Sequence, residues 1–106
     1  MMTTAEARAK RSSVAALPLF ERFPALGLAR EALRAGGAKP AILNAANEIA
    51  VASFLDSGIA FLDIASVARE TLACYDPPAP TSLDEVLEVD RRARDIAGQL
   101  IGKMLN

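Results

Sequence analysis

The sequence contains no histidine and no tryptophan, and its only cysteine is Cys74. Without histidine, the chain cannot form a serine–histidine or cysteine–histidine nucleophile or an imidazole metal site. A lone cysteine cannot form an internal disulfide bond, which fits a reducing compartment. We interpret Cys74 as a small apolar side chain. These absences exclude most kinds of self-contained active site.

Aromatic residues and net charge are also scarce. Only 5% of the 106 residues are aromatic, whereas 52% are hydrophobic, and such an aliphatic composition favours helices packed on helices. With a formal net charge of −1, the chain lacks the excess of positive charge that favours binding to nucleic acid or an anionic membrane. No apolar run approaches the roughly 20 residues that span a bilayer, and no secretory signal follows the charged start. The composition predicts a soluble, cytoplasmic, helical protein.

The predicted fold class is all-α, a small four-helix bundle with an irregular N-terminal segment. We assign the bundle to residues 21–106 and a tail or remnant linker to residues 1–20. Proline and glycine mark the helix limits, since proline suits a helix start and glycine a helix end. The first predicted helix runs from Pro24 to Gly36–Gly37, and the second from Lys39 to Gly58. The third runs from an N-cap at Asp63 to Tyr75 and is followed by a stiff connection over residues 76–81. The fourth begins with a Ser82–Glu85 capping box and continues to the C-terminus.

Helical periodicity predicts which side chains are buried. The second helix is apolar almost all round, so it should be the central helix of the bundle. The buried faces expected for the other three helices are Leu26, Ala29 and Leu33 in the first, Ile64, Val67, Ala68 and Leu72 in the third, and Leu83, Val86, Leu87, Ala93, Ala97, Leu100, Ile101 and Met104 in the fourth.

One polar stripe interrupts the central helix. Asn44, Asn47 and Glu48 stand at positions i, i+3 and i+4, so their side chains share one side of the helix. Two amides and a carboxylate on a helix that is otherwise buried require hydrogen-bond partners. A loop of the same domain, a neighbouring domain or a ligand could supply them.

Asp90 is the one residue that does not fit the apolar face of the last helix. A carboxylate in that position must be paired or hydrogen-bonded, because an isolated buried charge is too costly. The candidate partners are Arg94, four residues further on, and the backbone amides at the start of another helix. A catalytic acid or metal ligand is disfavoured because no second acidic residue converges on that face. We predict no catalytic, cofactor-binding or metal-ligating residue in this chain.

Several segments, in order along the chain, resemble a known family. FPALGLAREAL, the double glycine, PAILNAANEIAVASFL, IAFLDI and SLDEVLEVDRRARDIA are similar to the C-terminal helical domain of the 1-deoxy-D-xylulose 5-phosphate reductoisomerases. The resemblance covers Glu21 to the C-terminus. NAANEIAV, residues Asn44 to Val51, is its most specific part, and the Asp90–Arg94 motif supports it.

The resemblance implies a particular parent enzyme. That family uses NADPH and Mg²⁺ or Mn²⁺ to convert 1-deoxy-D-xylulose 5-phosphate into 2-C-methyl-D-erythritol 4-phosphate for isoprenoid biosynthesis, usually as a homodimer. Its NADPH-binding and catalytic domains have no counterpart here, so they are the implied partners, and the Asn44, Asn47 and Glu48 stripe is expected to support the junction with them. In that family a linker leads into this domain, and AALPLFERFP resembles a shortened form of it. The origin of the chain as a fragment or as the product of a truncated gene therefore stays open. The alternatives are a stand-alone helical protein-interaction module and a bundle with no surviving role.

Overall fold

The structure is a computed structural model that describes residues 24–105, with side chains from residue 26 onward. The predicted tail over residues 1–20 lies outside the described residues. Residues 24–105 form four helices and no strand, namely α1 (Pro24–Ala35), α2 (Lys39–Leu55), α3 (Phe61–Cys74) and α4 (Leu83–Leu105). The predicted all-α, four-helix fold is confirmed. None of these four helices is long and apolar enough to cross a membrane.

Helix α2 is the centre of the bundle, as predicted, because it packs against all three of the other helices. Small side chains bring the helices close together: Ala45 and Ala46 of α2 and Ala93 and Ala97 of α4 are fully buried. The early residues of α2 pack with the early residues of α4, and the later residues with the later ones. The two helices therefore run in the same direction along their contact, with α3 connecting them.

The prediction that α2 is buried almost all round holds only for its first half. Ile42, Leu43, Ala45 and Ala46 are buried in the first half, whereas in the second half Ala50 is buried but Val51 and Leu55 are exposed, Leu55 to 75%. Three helices cover the first half of α2, whereas the outer side of its second half has no neighbour among the described residues. This end of α2 therefore presents aliphatic side chains at the surface.

Helix α1 packs through a different face from the one predicted. Leu26 and Leu33 are 43% and 72% exposed, whereas Ala32 is buried and Leu28 packs against the core. The apolar residues of α1 form two overlapping faces, so periodicity alone does not distinguish them. Contact with α2 and α3 selects the face that includes Leu28 and Ala32, which corrects the assignment of Leu26 and Leu33.

The end of α2 also corrects a prediction. The left-handed residue there is Ser57, with φ of 61°, and not Gly58. Gly58 is needed for a close approach instead: its N–H donates to the Ser53 carbonyl at 2.7 Å, and a Cβ atom would lie 2.4 Å from Ser53 Oγ. The left-handed backbone at Gly36 and Gly37 does confirm the predicted stop of α1.

Helix α3 begins two residues before the predicted start. Asp63 is in the first turn rather than at the N-cap, and its Oδ2 accepts a hydrogen bond from the Ala60 N–H at 2.9 Å. Val67 and Ala68 are buried as predicted. Thr71 is also fully buried, because its hydroxyl donates to the Val67 carbonyl at 2.7 Å. Cys74, interpreted above as a small apolar side chain, is exposed near the end of α3.

The start of α4 shows one half of the predicted capping box. Ser82 Oγ accepts a hydrogen bond from the Glu85 N–H at 3.2 Å. The Glu85 carboxylate, however, accepts from Thr81 rather than from the Ser82 backbone, with the N–H at 2.5 Å and the hydroxyl at 2.8 Å. Those two bonds from Thr81 lower the pKa of Glu85.

The buried face of α4 is a row spaced four residues apart, made of Val89, Ala93, Ala97 and Ile101. Ala93, Ala97 and Ile101 were predicted, and Val89 was not. Leu83, Val86, Leu87 and Met104, all predicted to be buried, are exposed. Val89 belongs to the same buried cluster as Ala38 and Ile42, at the start of α2, so the part of α4 before Val89 is not covered by that helix.

Candidate functional site

The predicted polar stripe lies on the outer side of α2. Asn44 and Glu48 are exposed, and Asn47 is partly buried. The side chains come together because positions i, i+3 and i+4 project from the same side of a helix. The structure therefore brings the three residues together as predicted.

Arg94 connects this stripe to α4. Its Nε donates to Asp90 Oδ2 at 2.8 Å, and its Nη2 donates to Glu48 Oε2. The first contact confirms the sequence-local partner expected for Asp90. The second contact joins two helices whose paired residues are 46 positions apart, and the sequence offered no signal for it. We call these three residues the Arg94 cluster.

The Arg94 cluster lies at the edge of the interface and not in its middle. The side chains of Asp90 and Arg94 are each 34% exposed, so Asp90 is not the deeply buried carboxylate that the sequence suggested. The hydrogen bonds to Asp90 and then to Glu48 raise the pKa of Arg94, whose guanidinium is charged at neutral pH in any case. The cluster therefore contains two carboxylates neutralised in part by one cation.

Replacing Arg94 with methionine tests how much this cluster contributes. We expect the melting temperature to fall by less than about 5 °C, because partly solvated ion pairs contribute little. The loss should shrink between 0.1 M and 1 M salt, as the screening length falls from about 10 Å to about 3 Å. Thermal unfolding followed by circular dichroism measures both effects. The exposed Arg92, changed to methionine in the same way, is the control, and an equal, salt-independent loss in both variants would contradict the role of the cluster.

The side-chain oxygen of Asn47 has no hydrogen-bond partner although it is buried. Among the described residues it is the only buried side-chain nitrogen or oxygen atom in that condition. The residue Asn47 lines two neighbouring shallow grooves, although this oxygen itself is not accessible from them. One groove, of about 210 Å³, runs between α1 and α2 past Leu33 and Asn44, and the other, of about 350 Å³, runs along α2 towards Val51 and Leu55. Sequence reasoning located Asn47 but not its unpaired oxygen.

These features together form one surface, which we call the outer face of α2. It has polar side chains in the middle and exposed aliphatic side chains at both ends, and it consists of Leu33, Asn44, Asn47, Glu48, Val51, Ala52 and Leu55. A surface with this composition can bind another protein segment, since aliphatic contacts supply affinity and polar groups fix the register.

The described residues do not fit a metal or dinucleotide site. Between residues 24 and 105, no three acidic or cysteine side chains are grouped so that they could hold a metal ion. The carboxylates of Glu48 and Asp90 are already held by Arg94. The same residues form no strand that could lead into a glycine-rich phosphate loop.

Comparison with known proteins gives a consistent result. The sequence profile of the DXP reductoisomerase C-terminal domain matches residues 14–96. The chain is 55% identical over 84 residues to the 1-deoxy-D-xylulose 5-phosphate reductoisomerase of Zymomonas mobilis subsp. mobilis, covering 79% of this chain and 22% of that protein. It is 59% identical over 80 residues to the reductoisomerase of Chlorobium phaeobacteroides, covering 76% of this chain and 21% of that protein.

A solved structure of this family is similar to the chain at the same sequence identity. The 1-deoxy-D-xylulose 5-phosphate reductoisomerase from Zymomonas mobilis in complex with NADPH superposes with a TM-score of 0.77 at 55% identity. The superposition covers 79% of this chain and 22% of that one. The chain thus spans about a fifth of the length of the relatives that it matches.

Proposed function

Because the chain belongs to the DXP reductoisomerase C-terminal domain family, we propose that it is the C-terminal structural domain of a 1-deoxy-D-xylulose 5-phosphate reductoisomerase and is not catalytic by itself. The observation that carries this proposal is the superposition on the Zymomonas mobilis enzyme at 55% identity.

The proposed parent enzyme isomerises and reduces 1-deoxy-D-xylulose 5-phosphate to 2-C-methyl-D-erythritol 4-phosphate, in the cytoplasm and as a homodimer. Its NADPH-binding and catalytic domains are the partners of this chain. In those domains NADPH would supply hydride, and Mg²⁺ or Mn²⁺ would act as a Lewis acid. Support for NADPH comes from the complex that the similar Zymomonas mobilis structure contains. The other properties are proposed from the family resemblance.

In this proposal the residues of the chain provide a rigid support. The small buried side chains between α2 and α4 fix the two helices against each other, and the Arg94 cluster ties their outer edges together. The outer face of α2 is thereby held in one orientation. Asn44, Asn47 and Glu48 on that face support the junction with the rest of the subunit.

A hybrid enzyme tests the proposal. In the Zymomonas mobilis reductoisomerase, the matching segment is replaced by this chain, and NADPH oxidation is measured with 1-deoxy-D-xylulose 5-phosphate. We expect activity within about tenfold of the parent, a difference of about 1.4 kcal/mol in activation free energy. The truncated parent and the isolated chain should both be inactive.

Two outcomes would contradict the proposal. A hybrid that is folded but inactive would contradict the proposal that this chain is a reductoisomerase domain. It would favour the alternative, a separate helical interaction module. Oxidation of NADPH by the isolated chain with this substrate would show that the chain is catalytic by itself.

A further inference from the structure

An aliphatic groove lies between α1 and α3, at the end of the bundle where α2 begins, and we call it the α1–α3 groove. Its volume is about 370 Å³. A cavity of about 150 Å³ holds a benzene-sized group, so this groove has room for two leucine side chains. Its aliphatic lining consists of Leu28, Ala32, Ala35, Leu72 and Ala73, and its charged lining of Glu31, Lys39 and Arg69.

The charges of the α1–α3 groove restrict the chemistry of an occupant. Lys39 Nζ lies 3.8 Å from Asp76 Oδ1, so this cation already has a carboxylate beside it. Arg69 is exposed and has no ion-pair partner among residues 24–105. An occupant that combines aliphatic side chains with one carboxylate for Arg69 therefore fits this groove.

The start of α4 has this combination of properties. Leu83 and Leu87 are 73% and 57% exposed, because α2 does not cover the part of α4 before Val89. Asp84 stands three residues before Leu87 and shares a side of the helix with it. Asp84 also has no ion-pair partner in the described part of the chain. A helix that presents apolar side chains at positions i and i+4 is a common occupant of a hydrophobic groove.

The start of α4 can reach such a groove only in a second copy of the chain. Helix α4 is continuous and packs on α2 from Val89 onward, and neither Leu83 nor Leu87 lines the groove of its own copy. The two surfaces lie at the same end of the bundle, since Lys39 lines the groove and Val89 clusters with Ala38. Two copies related by a twofold axis at this end can therefore exchange their α4 starts and form a closed dimer.

Direct contact between two α4 starts is the other way in which two copies could cover these leucines. Residues 82–90 contain no basic side chain, and their acidic side chains are Asp84, Glu85, Glu88 and Asp90. That contact would bring like charges together, which disfavours association. Binding in the α1–α3 groove instead places a carboxylate beside a cation.

We propose that two copies of this chain form a dimer in which the start of α4 of one copy occupies the α1–α3 groove of the other. Leu83 and Leu87 supply the apolar contacts, and Asp84 pairs with Arg69 across the interface. The inference concerns the 106-residue chain itself and does not depend on the proposed function.

Sedimentation equilibrium of the full chain, from about 10 µM to about 1 mM, tests the apolar contact. We expect a dissociation constant between those limits, since the interface is small. Leu87→Ser should raise the dissociation constant at least about tenfold, because the leucine is no longer buried in the groove. Leu55→Ser, at a leucine of α2 that is 75% exposed and does not line the groove, is the matched control and should leave it unchanged.

An exchange of charges tests the pairing of Asp84 with Arg69. Arg69→Asp and Asp84→Arg, each alone, should raise the dissociation constant at least about tenfold, because both contacts of the dimer then join like charges. In an equimolar mixture of the two variants, both contacts of a mixed dimer again join opposite charges, so dimers should form with about the wild-type affinity. Arg92→Asp makes the same charge change at an exposed residue of α4 and should not substitute for Arg69→Asp in the mixture.

These substitutions are at exposed positions, so circular dichroism of dilute samples should show the same helix content in every variant. A wild-type chain that stays monomeric at about 1 mM would overturn the proposal and leave the groove to a different protein. A mixture of Arg69→Asp and Asp84→Arg that dimerises no better than either variant alone would overturn the assigned contact. Equal effects of Leu87→Ser and Leu55→Ser would do the same.

Discussion

Replacing Ile42 with alanine is expected to lower the free energy of unfolding by about 2–5 kcal/mol. Ile42 is fully buried, and it packs in a cluster with Ala38, Ala45, Val89 and Ala93. Three of these four neighbours are alanines, whose side chains are too short to move in and fill the space. Small domains are typically stable by only about 5–15 kcal/mol, so this loss is a large fraction of the total.

Urea unfolding followed by far-ultraviolet circular dichroism measures this change, since the chain has no tryptophan. The control is Leu33→Ala, which deletes as many carbon atoms as Ile42→Ala. Leu33 is 72% exposed, so no buried space is created there. That change should stay within about 0.5 kcal/mol in the isolated chain. Equal losses at Ile42 and Leu33 would indicate that α1 packs through the face that periodicity predicted.

Replacing Gly58 with alanine should lower the free energy of unfolding by about 1–3 kcal/mol. The new methyl group would stand 2.4 Å from Ser53 Oγ and 3.0 Å from the Ser53 carbonyl oxygen. The hydroxyl can rotate away, but the carbonyl accepts the hydrogen bond from the Gly58 N–H and is held in place. The end of α2 must therefore shift to accommodate any side chain at this position.

Two further variants separate this contact from the general effect of adding a methyl group. Gly98→Ala lies in α4 with no atom within 4 Å of the added Cβ, so it should raise stability by about 0.5–1 kcal/mol. Ser53→Ala combined with Gly58→Ala removes the contact with the hydroxyl and should recover part of the loss. If Gly58→Ala and Gly98→Ala change the free energy of unfolding in the same direction, the close approach at Ser53 does not restrict the residue at position 58.

The candidate site was predictable only where it depends on a single helix. The grouping of Asn44, Asn47 and Glu48 follows from helical spacing, and so does the contact between Asp90 and Arg94, four residues apart. The contact between Glu48 and Arg94 depends on how α2 lies against α4, which no local pattern encodes. The unpaired oxygen of Asn47 likewise became visible only after α1 had been placed beside α2.

The sequence by itself determined the number of helices, their approximate limits and the central place of α2. The number and limits of the helices follow from local backbone chemistry, because proline and glycine restrict or release dihedral angles wherever they stand. The central place of α2 follows from its apolar residues on nearly all sides. Only the tertiary structure decided which side of each helix is buried, as Leu33 in α1 and Val89 in α4 show. Burial depends on which neighbours cover a face, and an aliphatic side chain has the same sequence signature whether its neighbour belongs to the same domain or to another one.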